Sequence, residues 1–261
     1  MKSIEEYLAS VGSAYVMPGA APFFLDKGEI GCLLVHGWAG SCHALRYLGS
    51  RLADAGITAY APLLPGHGTT PEEMARTSAL DWVHAVVEHL HLLTQRCCHT
   101  FVAGLSMGGT LTLYLGATQG KSLRGIASIN GAIFLNNPDF AVLALQADAP
   151  PMIPVFPSGL MKDPNVVEVM YLERPTNTIL GVLGLTKAVE ELLPRITVPT
   201  LIIQSTDDGV VPAANAELIY DRIGAIDKRI SWLTNSYHVA PLDYDKDIVA
   251  DELIAFIHSH T

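Results

Sequence analysis

Charged residues are scarce in this sequence. Asp, Glu, Lys and Arg make up only 16% of the 261 residues, against about 25% in a typical soluble protein. Apolar residues account for 49%, and the mean hydropathy is +0.31. The charges are also unbalanced, with 16 basic and 26 acidic residues and a net charge of −10. Because nucleic acids and anionic membranes would repel such a chain, neither is expected to be its main partner.

Three further features are missing, and each excludes a class of protein. No uninterrupted apolar run reaches the roughly 18 residues of a membrane-spanning helix, so none is expected. Glu5 and Glu6 lie where a signal peptide would need a basic start and an apolar block, so we expect a cytoplasmic protein. The four cysteines lack C-x-x-C spacing, which argues against a disulfide framework or a cysteine metal site and predicts reduced, mostly packed thiols.

The chain does contain a regular alternation of strand-like and helix-like segments. Short apolar runs typical of buried strands occur at residues 30–35, 57–61, 100–103, 123–130, 198–204 and 228–233. Helix-like segments occur at residues 42–55, 78–95 and 245–259. This alternation predicts an α/β fold with a mostly parallel central sheet flanked by helices.

One long segment interrupts the alternation. Residues 131–190 contain seven prolines and only short helix-like stretches, at 140–146 and 166–172. Long insertions in compact domains usually carry function, so we interpret this segment as a cap over the sheet. The predicted division is therefore a core in two parts, residues 1–130 and 191–261, with a cap insertion at 131–190 between them.

The most informative motif is G-x-S-x-G at residues 104–108, with Ser106 at its centre. It follows a predicted strand and precedes the helix-like run 110–115. A serine at a sharp strand-to-helix turn needs glycine on both sides, because the strained backbone leaves no room for flanking side chains. Ser106 is therefore a candidate nucleophile, although a plain glycine-rich turn would read the same.

A nucleophilic serine requires two partners, because its hydroxyl is unreactive at neutral pH without a histidine base that a carboxylate orients. When the serine lies in such a turn, the acid and the histidine follow it in that order, on loops after late strands. Asp207 and Asp208 follow the strand-like segment 198–204, and His238 follows the segment 228–233. His238 is the candidate base, and the spacing alone leaves both aspartates open.

Acyl transfer also needs backbone N–H groups that stabilise the oxyanion. Met107, directly after the serine, is predicted to supply one, and Trp38, in the loop after the first predicted strand, the other. His36 is interpreted as a brace of that loop. His89 and His91 are two apart on a predicted helix and point away from each other, so no metal site is expected.

Six motifs together resemble those of a known superfamily. They lie at residues 34–37, 66–74, 104–109, 201–205, 217–220 and 235–240. With them the sequence resembles the α/β-hydrolase superfamily and, more closely, the bacterial monoacylglycerol lipases of the thermostable Bacillus type. The likeness runs nearly from end to end.

The resemblance implies a serine hydrolase that cleaves the ester bond of a monoacylglycerol through an acyl-enzyme, with no cofactor and no metal. It implies that the insertion forms an acyl tunnel and that a cap glutamate contacts the glycerol. Glu168 is the matching candidate, and Glu173 is a weaker one. The family habit of Asp-x-x-Val-Pro after the late strand favours Asp208 over Asp207.

Other functions stay open at this point. A general carboxylesterase on short-chain or xenobiotic monoesters would share every catalytic residue and differ only in the cap. A non-catalytic receptor for an apolar ligand and a membrane-surface module are further alternatives. The expected partner is a small lipid ester, with transient contact between the cap and a lipid surface as a further possibility. We expect a monomer or a homodimer.

Overall fold

The computed structural model describes residues 3–12, 15–135 and 138–261. Its strands are β1 Phe23–Leu25, β2 Ile30–Val35, β3 Thr58–Ala61, β4 His99–Leu105, β5 Gly125–Ile129, β6 Met152–Pro154, β7 Glu173–Pro175, β8 Thr200–Ser205 and β9 Lys228–Leu233. Seven of them form one sheet in the order β1-β3-β2-β4-β5-β8-β9. Only β1 runs antiparallel to its neighbour in this sheet. The predicted α/β fold with a mostly parallel sheet is confirmed.

Helices cover both faces of the sheet, which is why the central strands are continuous apolar runs. The helices are α1 Ile4–Gly12, α2 His43–Asp54, α3 Pro71–Met74, α4 Ala79–Arg96, α5 Met107–Gln119, α6 Pro138–Leu145, α7 Ile179–Leu192, α8 Ala214–Arg222 and α9 Lys246–Ser259. The apolar side chains of α2 and α9 form a core on one face. Those of α4, α5, α7 and α8 form a core on the other.

The parallel arrangement brings the predicted catalytic residues to one edge of the sheet. Ser106 follows β4 directly, Asp208 lies just after β8, and His238 lies after β9. The carboxyl ends of parallel strands point to the same edge, and ligands of open α/β sheets bind there.

The insertion between β5 and β8 differs in part from the prediction. The helix expected at 140–146 exists as α6, but the helix expected at 166–172 is wrong, because this segment has no regular structure. Its backbone groups bond elsewhere: Tyr171 N–H donates to Ala39 O at 3.0 Å, and Leu172 O accepts from Val155 N–H at 2.7 Å. A helix would need those groups for its own hydrogen bonds.

Helix α7 is the largest element that the proline-rich pattern does not predict. It is 14 residues long, and the boundary predicted at residue 190 falls within it. Its buried face, which includes Val182, Leu185 and Val189, packs against the same core as α5. The division into a two-part core and a cap therefore stays a prediction.

Two sequence expectations concern the described residues as a whole. No helix in the described ranges is long and apolar enough to cross a bilayer. The cysteines are free thiols, of which Cys32, Cys42 and Cys97 are buried and Cys98 is exposed.

Candidate active site

Ser106 lies at a sharp turn between β4 and α5. Its backbone has φ 58° and ψ −120°, a conformation that L-residues rarely adopt. A Cβ on Gly104 would lie 2.1 Å from the Gly108 carbonyl oxygen, and one on Gly108 would lie 2.0 Å from the Val35 carbonyl oxygen. Both flanking positions therefore require glycine. The turn holds the Ser106 side chain out at the carboxyl edge of the sheet, as the G-x-S-x-G motif predicts.

His238 bonds to Asp208. Its Nδ1–H donates to Asp208 Oδ2 at 2.8 Å, and Asp208 Oδ1 accepts from Val210 N–H at 2.8 Å and Val211 N–H at 2.9 Å. The Asp208 side chain is fully buried, whereas that of Asp207 is 57% exposed and lies near Lys162. Asp208 is thus the aspartate that the structure joins to the histidine, and its bond fixes the tautomer that leaves Nε2 available as a base.

Asn130, directly after β5, holds the backbone of the histidine loop. It is fully buried, its φ is +45°, and its Nδ2 donates to the His238 carbonyl oxygen at 2.7 Å. Its Oδ1 accepts from Ser205 N–H at 2.7 Å, and Ser205 Oγ donates to the Tyr237 carbonyl oxygen at 2.8 Å. No role for Asn130 is predicted from the sequence, although an Asn-Gly pair after a strand is a usable signal of a special backbone conformation.

Asp243 ties the same loop to the insertion. Its buried carboxylate accepts from Tyr237 N–H at 2.8 Å and Tyr244 N–H at 2.9 Å. It also accepts from Lys162 N–H at 2.7 Å and Asp163 N–H at 3.0 Å. One side chain therefore connects the histidine loop with the insertion, and nothing in the sequence near Asp243 predicts a partner 80 residues away.

The two predicted oxyanion donors lie beside Ser106. A Cβ on Gly37 would lie 3.3 Å from Ser106 Cβ, so the loop that carries Trp38 packs directly against the serine. Among the described residues the backbone N–H groups of Trp38 and Met107 have no hydrogen-bond partner. Unpaired N–H groups at a helix start and in an adjacent loop suit a developing oxyanion.

His36 braces this loop, as predicted. Its Nε2 accepts from Leu64 N–H at 3.0 Å, and its Nδ1–H donates to the Gly37 carbonyl oxygen at 2.9 Å. The ring of His67, in the turn after β3, packs 5.0 Å from that of His36. Burial lowers the pKa of His36 to about 4 and that of His67 to about 3, so both rings are neutral at physiological pH.

A cavity of about 660 Å³ joins these residues. Ser106, Asp208 and His238 all line it. The rest of its wall is mostly apolar and comes from the sheet edge and from the insertion, including Leu135, Phe140, Val155, Leu160, Met170 and Val182. A pocket of this size with few polar groups fits an apolar small molecule.

Glu168 adds a carboxylate to this cavity. It lies in the irregular part of the insertion, and a Cβ on Gly40 would be 2.9 Å from its Oε1. Burial raises its pKa to about 7, although the charge of a protonated His238 lowers it. Within the described residues its carboxylate has no hydrogen-bond partner, so it is free to bind a polar group in the cavity. Glu173, the weaker candidate, is exposed on β7 and does not line the cavity.

The Ser106 hydroxyl and the His238 ring line the same cavity. Within the described residues they form no hydrogen bond with each other. In ligand-free sites this bond is often long and forms only with substrate present. No cluster of three metal-ligating side chains occurs in the described part of the chain. The arrangement can therefore support nucleophilic attack by serine with an imidazole base.

Comparisons with known proteins agree with this geometry. The family model described as serine aminopeptidase, S33, matches residues 30–245. The thermostable monoacylglycerol lipase of Bacillus sp. (strain H-257) is 41% identical over 248 residues, 94% of this chain and 97% of that protein. The carboxylesterase of Bacillus subtilis (strain 168) is 28% identical over 240 residues, 90% of this chain and 95% of that protein.

Solved structures are similar over the same range. A solved structure described as "LipS and LipT, two metagenome-derived lipolytic enzymes" superposes on this chain with a TM-score of 0.92 and is 43% identical in sequence. The match covers 94% of this chain and 100% of that chain. The monoacylglycerol lipase of Paleococcus ferrophilus has a TM-score of 0.79 at 19% identity, over 92% of this chain and 99% of its own, and shares the fold. The chain belongs to the serine aminopeptidase S33 family of α/β-hydrolases.

Proposed function

We propose that this protein is a monoacylglycerol lipase, a serine hydrolase that releases glycerol and a free fatty acid. One observation carries the proposal: Ser106, the His238–Asp208 pair and the unpaired carboxylate of Glu168 line a single, mostly apolar cavity. The 41% identity to a thermostable monoacylglycerol lipase supports it.

In the proposed reaction His238 Nε2 takes the Ser106 proton as the serine oxygen attacks the ester carbonyl. The N–H groups of Trp38 and Met107 stabilise the oxyanion, and Asp208 stabilises the imidazolium. When the tetrahedral intermediate collapses, the proton passes to the leaving glycerol oxygen and an acyl-enzyme is left. Water, deprotonated by His238, then attacks the acyl carbonyl and releases the fatty acid.

The two ends of the substrate match two parts of the cavity. The apolar wall takes the acyl chain, and each buried methylene contributes roughly 0.8 kcal/mol before ordering costs. The Glu168 carboxylate accepts hydrogen bonds from the glycerol hydroxyls, which gives it a partner that the described residues do not supply. A second or third acyl chain would have to fit the same enclosed volume, so di- and triacylglycerols should be poor substrates.

A general carboxylesterase is the second candidate, because the Bacillus subtilis relative bears that name. The two functions differ only in whether the glycerol is recognised. Turnover of 1-decanoylglycerol, methyl decanoate, 1,2-didecanoylglycerol and tridecanoylglycerol separates them. A lipase specific for monoacylglycerols prefers the first by a wide margin, whereas comparable rates on the first two would favour the carboxylesterase.

The insertion is also the part of the chain that we propose to touch lipid surfaces transiently. Among its described residues the four most exposed large apolar side chains are those of Leu145, Phe156, Val167 and Leu172. Flotation of the Ser106→Ala protein with phosphatidylcholine liposomes tests this contact, and the absence of any co-floating protein would contradict it. The cytoplasmic location and the monomeric or dimeric state remain predictions from the sequence.

A further inference from the structure

Arg174, on β7, is a charged side chain inside the proposed acyl-binding cavity. It lines the same cavity as Ser106. Its guanidinium carbon lies 4.5 Å from the centroid of the Trp38 ring and 5.9 Å from that of the Phe140 ring. The two rings hold the guanidinium in place by cation–π contact. Trp38 also carries a proposed oxyanion donor on its backbone, so Arg174 contacts a residue of the proposed catalytic site.

Arg174 has no anionic partner among the residues that the structure describes. No carboxylate among the described residues lies within 4.0 Å of it, and its Nε–H is buried with no acceptor. The other arginines that are not exposed, Arg51 and Arg222, both pair with carboxylates. Glu168 lines the same cavity without forming an ion pair with it. The charge of Arg174 is therefore not neutralised by any carboxylate among the described residues.

A buried cation without a partner is unfavourable, so an unpaired guanidinium facing a cavity is suited to an anionic ligand. Burial lowers the pKa of Arg174 only to about 10, so the group stays protonated at neutral pH. Its planar fork of N–H donors matches the oxygens of a carboxylate or a phosphate. In a protein of net charge −10, a local cation would also be needed to admit an anionic substrate.

We propose that Arg174 binds a carboxylate or phosphate carried by the substrate, so that this enzyme also hydrolyses anionic monoesters. The inference rests on the proposed function, because it uses the same nucleophile and the same cavity. The reaction is unchanged: water adds across the ester bond, and the anionic group passes intact into a product. The anion has two possible sources, the far end of the acyl chain or the glycerol.

Two matched pairs of esters test the inference. Mono-p-nitrophenyl glutarate against p-nitrophenyl valerate places the charge on the acyl side. 1-Decanoylglycerol 3-phosphate against 1-decanoylglycerol places it on the alcohol side. Each pair is measured with wild type, Arg174→Gln, Arg174→Lys and the control Arg195→Gln, which removes an exposed charge away from the cavity.

Losing a hydrogen bond to a charged group lowers kcat/KM roughly 10- to 100-fold. We expect Arg174→Gln to lower kcat/KM by this factor more for one anionic ester than for its neutral partner, mainly through KM. Arg174→Lys should restore part of the loss, and Arg195→Gln should have no effect. The pair that responds identifies the source of the anion.

Equal losses on the neutral and anionic members of both pairs would show a structural role and overturn the inference. If the variants do not fold, the wild-type ratio of kcat/KM between each anionic ester and its neutral partner decides. A kcat/KM about 100-fold lower for the anionic esters, as charge repulsion alone predicts, also overturns the inference. Failure of the proposed function is distinguishable, because it appears as no turnover of 1-decanoylglycerol, while the p-nitrophenyl pair still reports on Arg174.

Discussion

Glu168→Gln should stabilise the protein at alkaline pH while weakening its action on monoacylglycerols. Burial raises the pKa of this carboxyl from 4.5 to about 7 in the folded state. The folded protein therefore holds a proton between these pH values that the unfolded chain has lost. The contribution of Glu168 to the free energy of unfolding is fully present below pH 4.5 and is lost as the pH rises through 7. A neutral glutamine avoids this loss.

The size of the effect follows from the shift. A change from 4.5 to about 7 corresponds to about 3 kcal/mol at full ionisation. Glu168→Gln should gain up to this amount at pH 8, or roughly 5 to 10 °C in thermal midpoint, and gain almost nothing at pH 4.5. The assay is urea unfolding of wild type, Glu168→Gln and the exposed control Glu29→Gln across this pH range.

The same substitution should lower the activity on monoacylglycerols. A glutamine cannot supply a charged acceptor to the glycerol hydroxyls, so kcat/KM for 1-decanoylglycerol at pH 8 should fall roughly 10- to 100-fold. Turnover of p-nitrophenyl valerate, which has no glycerol, should change much less. A stability difference independent of pH, or a variant less stable than wild type at pH 8, would refute the reasoning.

The remaining predictions concern the proposed catalytic residues and the residues that hold them in position. Ser106→Ala should lower p-nitrophenyl ester turnover by at least about 10⁴-fold with an unchanged circular dichroism spectrum, and substantial residual turnover would remove it as the nucleophile. Asp208→Asn should lower kcat by about 10⁴-fold through the wrong histidine tautomer, whereas Asp207→Asn should leave kcat nearly unchanged; the reverse order would reassign the acid. Asp243→Ala leaves four backbone N–H groups without their acceptor, so the urea midpoint and kcat should both fall. An unchanged kcat would show that the histidine loop holds its position without this carboxylate.

Much of the site can be predicted from the sequence because strand ends in a parallel sheet converge. Ser106 is marked by its two flanking glycines, and His238 by its place after a late strand. Asp208 could be preferred to Asp207 only through the family pattern, since adjacent aspartates are alike in spacing. The structure distinguishes them by burial and by the bond to His238.

The insertion is where local pattern and tertiary structure diverge. Residues 166–172 carry an apolar spacing that favours a helix, yet their backbone bonds to the loop after β2 and to the segment after β6. Helix α7 lacks a recognisable start signal, because Thr178 makes no side-chain cap, and its buried face is stabilised by packing.

The sequence by itself determined the α/β alternation, the nucleophile turn and the chain order of the three proposed catalytic residues, because these depend on local residue pattern and on order along the chain. Only the tertiary structure decided that Asp243 joins the histidine loop to the insertion and that Arg174 lines the cavity without a counter-ion among the described residues. Both depend on which groups are brought near, or kept away, by folding of segments far apart in the chain, and such distances have no signature in local sequence.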